Sequence, residues 1–127
     1  MTLTPLYHFT CRDGFRRIGR YNCLLIPQTP IWPYVWLTTE AVPDFEATGL
    51  GSVTLKCDRR EYRYIVRDTF GCWPWLGSQE RRQLLPAWLE VLESYGDPEH
   101  WWISQGPLPA EWDRAWNLRH ALTGKLT

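Results

Sequence analysis

The sequence lacks the local signatures that mark most familiar enzyme classes. It contains no glycine-rich phosphate loop, no HExxH, no GxSxG and no paired-carboxylate motif, which disfavours P-loop nucleotide hydrolases, zinc proteases and α/β-hydrolases. Its four cysteines, Cys11, Cys23, Cys57 and Cys72, form neither a CxxC pair nor a Cys/His cluster at zinc spacing, so no metal is expected. Net charge is missing as well. The 14 basic residues balance 14 acidic ones, which removes the simplest case for a nucleic-acid coat or an acidic-membrane binder. No apolar run approaches the roughly 18 residues of a membrane helix. The stretch from Met1 to His8 has neither a basic nor an apolar leader segment. The expectation is a soluble cytoplasmic protein with no membrane partner, its cysteines kept as thiols. Cys11 follows His8 by three positions, but closeness in sequence does not make a Cys–His pair in space, and a buried small hydrophobe is the simpler reading.

What is present is a chain of 127 residues, 44% hydrophobic and 22% charged, long enough for one domain and too short for two sizeable ones. Nine tryptophans and ten prolines stand out, as does the use of arginine over lysine. Tryptophan supplies large buried area per residue, and it also suits a pocket for a planar ligand.

Hydrophobic alternation predicts a first strand over 3–9, then a short helix from Arg12 to Ile18, capped by Thr10 or Asp13 and closed by Gly19. Tyr21 to Ile26 holds a short apolar run, and 27–33 is a proline-broken loop. Tyr34 to Thr39 is the clearest strand. Ser52–Cys57 and Tyr62–Arg67 read as a hairpin around Asp58–Glu61. Asp68 to Gly77 reads as an aromatic loop. Ser78 opens a helical stretch that Pro86 splits, and Leu85, Trp88, Leu89 and Leu92 share a face of its second part, stopped by Gly96. Trp101–Ser104 is a further strand, and Pro109 begins a short helix. The order β-α-β-β-β-β-α-β gives an α+β fold, a single compact domain over 1–118 with a tail over 119–127.

Three stretches carry the chemistry: Leu6-Tyr7-His8-Phe9-Thr10 on the first strand, Val35-Trp36-Leu37-Thr38-Thr39 on a later one, and the run from Pro98 to Trp112 that holds Glu99 and Trp101-Trp102-Ile103-Ser104. This arrangement resembles the ADP-ribosyltransferase superfamily, which includes the diphtheria-toxin-like and poly(ADP-ribose) polymerase-like enzymes, DNA-modifying toxins and RNA 2′-phosphotransferases. The resemblance implies a split antiparallel sheet with short flanking helices and NAD⁺ as substrate. It implies that His8 holds the NAD⁺ ribose, that Trp36 stacks on nicotinamide, and that Thr10 and Thr38 line the cofactor site. Glu99 is then the glutamate that orients the ribose 2′-hydroxyl, with His8 beside it in catalysis. Two departures stand out, a tryptophan where the family usually has tyrosine and no glycine after the histidine.

The residue types suit that chemistry. Cleavage of the nicotinamide–ribose bond develops positive charge on the sugar, and a carboxylate at the 2′-hydroxyl stabilises that charge more in the transition state than in the ground state. An aromatic face holds the cationic ring by stacking and cation–π attraction, about 0.5–2 kcal/mol. A neutral imidazole can donate to a ribose hydroxyl.

Each residue also has a plainer role available: His8 as a satisfied strand histidine, Trp36 as core, Glu99 as a solvated carboxylate. The rival functions are accordingly a catalytically silent nucleotide- or protein-binding accessory factor on the same fold, of phage or mobile-element origin, and an RNA 2′-phosphotransferase. The last requires arginines converging on a phosphate. Arg12, Arg16, Arg17 and Arg20 instead share one helix, and Arg59, Arg60, Arg63 and Arg67 read as a solvated hairpin. The acceptor, whether protein, nucleic acid, a small molecule or water, is not encoded in any motif.

Overall fold

The computed structural model describes residues 4–21, 23–24, 34–42, 61–94 and 96–116. Strand β1 (Leu6–Thr10) leads directly into helix α1 (Arg12–Tyr21), followed by β2 (Val35–Thr38), β3 (Tyr62–Val66) and β4 (Cys72–Pro74). Helices α2 (Gln79–Gln83) and α3 (Pro86–Ser94) come next, then a 3₁₀ turn (Pro98–His100) that runs into β5 (Trp101–Ser104), and finally β6 (Glu111–Trp112). The fold is α+β, and among the described residues it is built on one six-stranded sheet in the order β4-β5-β2-β1-β3-β6 with every neighbouring pair antiparallel.

Alternation along the strands divides the core in two. On one face Leu6, Val35, Leu37, Tyr64 and Val66 pack with Ile18 of α1 and with Leu24 and Leu108. Leu24 and Leu108 exchange both backbone hydrogen bonds, at 2.6 and 3.0 Å. Phe15 of α1 stacks on Tyr62 with ring centroids 4.2 Å apart. On the other face Tyr34, Trp75, Trp101 and Ile103 are buried, with Trp36, Trp73, Leu84, Leu89 and Leu92 packed against them.

The helices follow local chemistry. Ser78 Oγ accepts from the Arg81 amide at 3.1 Å and caps α2. Pro86 opens α3, so the expected split holds, because proline fits the first turn where its missing N–H costs nothing. Of the apolar residues expected to share the α3 face, Leu89 and Leu92 pack inward, while Leu85 and Trp88 are exposed.

Several expectations are corrected. The aromatic stretch 68–77 contains β4, because Gly71 takes a left-handed conformation (φ 86°) that turns the chain into pairing with β5. Pro109 starts no helix; the chain runs extended into β6, which pairs with β3. Helix α1 does not stop at Gly19 but continues to Tyr21, and it begins at Arg12, between the two expected caps. The interior glycine costs about 1 kcal/mol relative to alanine, which the burial of Ile18 offsets. The expected strand over 52–57, its turn, the proline-broken loop and the tail over 119–127 lie outside the described residues. No helix among the described residues is long and apolar enough to cross a membrane.

Candidate functional site

The sheet order sets β5, β2 and β1 side by side. These are the strands that carry Trp36 and His8 and that follow Glu99, so long-range pairing gathers elements far apart in sequence. The seam between β1 and β2 differs from its neighbours. β1 pairs with β3 at five positions, from Leu6–Val66 to Thr10–Tyr62. It pairs with β2 at Tyr7–Thr38 alone. Beside that single pair His8 Nδ1 lies 2.8 Å from the Trp36 carbonyl oxygen. A carbonyl can only accept, so Nδ1 carries the proton, and the half-buried ring has a defined tautomer and orientation.

The five sequence-predicted residues do not converge on one pocket. Alternation puts His8 and Thr10 on the Leu6 side of β1, towards α1. The opposite face of β2 carries Trp36 and Thr38. The Trp36 indole is half-buried and sits among aromatic rings, 5.0 Å from Trp75, 5.6 Å from Trp101 and 6.0 Å from Tyr34 between centroids. Thr10 is buried against Gly14, where a β-carbon would collide with its hydroxyl. Thr38 is also buried, and its Oγ1 accepts from the Glu40 amide at 3.2 Å, closing the turn after β2. Glu99 stands exposed in the 3₁₀ turn at the head of β5.

Sequence reasoning missed the group next to Glu99. The Thr39 amide donates to the His100 carbonyl at 3.1 Å, continuing the β2–β5 ladder and pinning the turn after β2 to the head of β5. Thr39 Oγ1 then lies 2.9 Å from His100 Nδ1. The other ring nitrogen, Nε2, sits 3.2 Å from Glu40 Oε1 and 3.5 Å from Asp97 Oδ2. All three side chains are partly exposed, between 32% and 37%. The only local trace of this cluster is the Asp97-x-x-His100 spacing, which a 3₁₀ turn stacks on one side. Glu40 joins it through tertiary structure alone.

A cavity of about 500 Å³ lies on the far side of β3, lined by Ile65, Arg67, Glu111, Trp112, Asp113 and Arg114. None of the five predicted residues lines it. The Arg67–Glu111 pair at 2.9 Å is exposed and crosses that edge. Arg12, Arg16, Arg17 and Arg20 are exposed along α1. Cys72 packs against the core on the α1 side of the sheet, and burial, with Asp68 nearby, pushes its thiol above the usual range, the opposite of an activated nucleophile.

Compared with known proteins, the chain matches no family model, no curated protein and no solved structure.

Proposed function

We propose that the seam formed by β1, β2 and the head of β5 binds NAD⁺, and that the chain transfers ADP-ribose from it to an acceptor or to water. One observation carries this reading: the strands bearing His8 and Trp36 and the turn bearing Glu99 are consecutive in the sheet although far apart in sequence. His8, with Nδ1 committed to the Trp36 carbonyl, presents an oriented imidazole for the ribose. Glu99 supplies the carboxylate for the 2′-hydroxyl. Its exposure means that bound nucleotide must exclude water around it before its charge acts at full strength. In this reading Thr10 and Thr38 hold the strand ends in place instead of touching the nucleotide, since both are buried.

The test is calorimetric titration with NAD⁺ beside an assay of nicotinamide release. Saturable binding is expected, weakened at least tenfold in His8→Ala, with release lost in Glu99→Ala while binding persists. No heat at millimolar NAD⁺ would sink the cofactor assignment.

A second reading, a catalytically silent binding protein, is supported by the Trp36 ring, which already contacts Trp75 and Trp101, and by the separation of His8 from Trp36 on opposite faces. Saturable NAD⁺ binding with no nicotinamide release would select it.

A further inference from the structure

We infer that Glu40, Asp97 and His100 form a binding site for a single divalent transition-metal ion of the zinc class. The inference stands apart from the NAD⁺ reading and uses none of its residues. The cluster is a mixed nitrogen and oxygen set, one imidazole and two carboxylates, drawn from two chain segments that the β2–β5 ladder locks together. One ligand atom from each residue lies within 4.8 Å of the other two.

Three features fit a bound cation. The first is charge. Two carboxylates against one imidazolium leave one negative charge over, whereas two carboxylates and a neutral imidazole balance a divalent ion. The second is spacing. Bonds of about 2.0–2.2 Å at tetrahedral angles put ligand atoms about 3.4 Å apart, and Nε2 stands 3.2 and 3.5 Å from the two carboxylate oxygens. The third is the partner of the other ring nitrogen. Thr39 Oγ1, at 2.9 Å from Nδ1, can accept its proton and so turn the Nε2 lone pair toward the carboxylates, the outer-shell arrangement that orients histidine ligands at metal sites. Partial exposure of all three side chains leaves a fourth position for water. An imidazole with carboxylates suits zinc, cobalt or manganese better than calcium or magnesium.

The probe is Co²⁺, added to the 127-residue chain after chelator treatment and dialysis, under a non-thiol reductant. Expected are one Co²⁺ per chain, visible d–d absorption without a thiolate charge-transfer band, and displacement by Zn²⁺. Glu40→Gln and His100→Asn should each weaken binding at least tenfold, and circular dichroism should show that Glu40→Gln keeps the fold, since that change is nearly isosteric at a partly exposed position. Absence of saturable binding at millimolar Co²⁺, a thiolate band, or unchanged affinity in a folded Glu40→Gln variant would each overturn the proposal. None of these readouts involves NAD⁺, so its fate and that of the nucleotide reading are separable.

Discussion

The two faces of the sheet solve the same burial problem with different materials. Under α1 the core is largely aliphatic, with Leu6, Ile18, Leu24, Val35, Leu37, Val66 and Leu108 buried; Tyr64 sits among them, its hydroxyl pushed up to about 12 first by burial and then by Tyr62. Under α2 and α3 the core is tryptophan-rich, and each indole brings an N–H that must be satisfied. Trp75 Nε1 donates to Glu93 at 2.6 Å, and Trp73 Nε1 lies 3.2 and 3.3 Å from the two oxygens of Glu80. Glu93 in turn accepts from Arg81 at 2.8 and 3.0 Å. Further along this face Arg63 pairs with Asp113, donates to the Ala41 carbonyl at 2.6 Å, and lies over the rings of Tyr7 and Trp116. An aliphatic core asks only for shape; an aromatic one of this kind also requires fixed charges.

The largest effect that separates the faces is expected at Trp75, which is fully buried. Trp75→Ala should cost about 3–5 kcal/mol by urea denaturation, since it empties the cluster and removes one of the donors to the Glu93 carboxylate. Arg63→Leu should follow at about 3 kcal/mol, because it leaves Asp113 charged and nearly buried without its partner. A loss below 1 kcal/mol would show that Asp113 finds water instead.

Glu93→Gln should cost about 1–2 kcal/mol at neutral pH, and it makes the comparison pH-dependent. The hydrogen bond from Arg81 holds the Glu93 carboxyl below its usual value, against the opposing effect of burial and with help from Trp75. A lowered folded value means that its stabilisation is complete above the unfolded carboxylate range, about 4.3, and is lost as pH falls through the folded value. The gap between wild type and Glu93→Gln should therefore narrow in acid, while the penalty of Leu6→Ala, on the aliphatic face, stays level. A gap that widens in acid would contradict the sign.

The smallest effect lies under α1. Helix propensity alone makes Gly14→Ala stabilising by about 1 kcal/mol, yet the new β-carbon meets the Thr10 hydroxyl. Thermal melts should show a net loss of about 1 kcal/mol in the native background, turning neutral or favourable when combined with Thr10→Ala.

Much of this could be read from local pattern. Leu6–Thr10, Val35–Thr38 and Trp101–Ser104 announce themselves by β-branched and aromatic alternation, and Pro86 marks a break that backbone chemistry enforces. Cys72–Pro74 does not, because three residues become a strand only when β5 lies beside them; the same holds for Glu111–Trp112 and β3. His8 and Trp36 fall on neighbouring strands and Glu99 in the turn that leads into the next, but which face each side chain takes depends on register, which no single strand reveals. His100 escaped notice because half of its surroundings, Thr39 and Glu40, arrive from another part of the chain.

The two ends of the sheet have a consequence for behaviour in concentrated solution. A long, flat outer strand offers unpaired amides and carbonyls to a second copy of the chain. Among the described residues the outer strands are three and two residues long. One ends in Pro74, which has no amide to donate, and the other carries the charged Arg67–Glu111 pair across its border. Among the described residues, strand-by-strand growth into fibrils therefore finds little to template on at these two borders, despite a core rich in tryptophan.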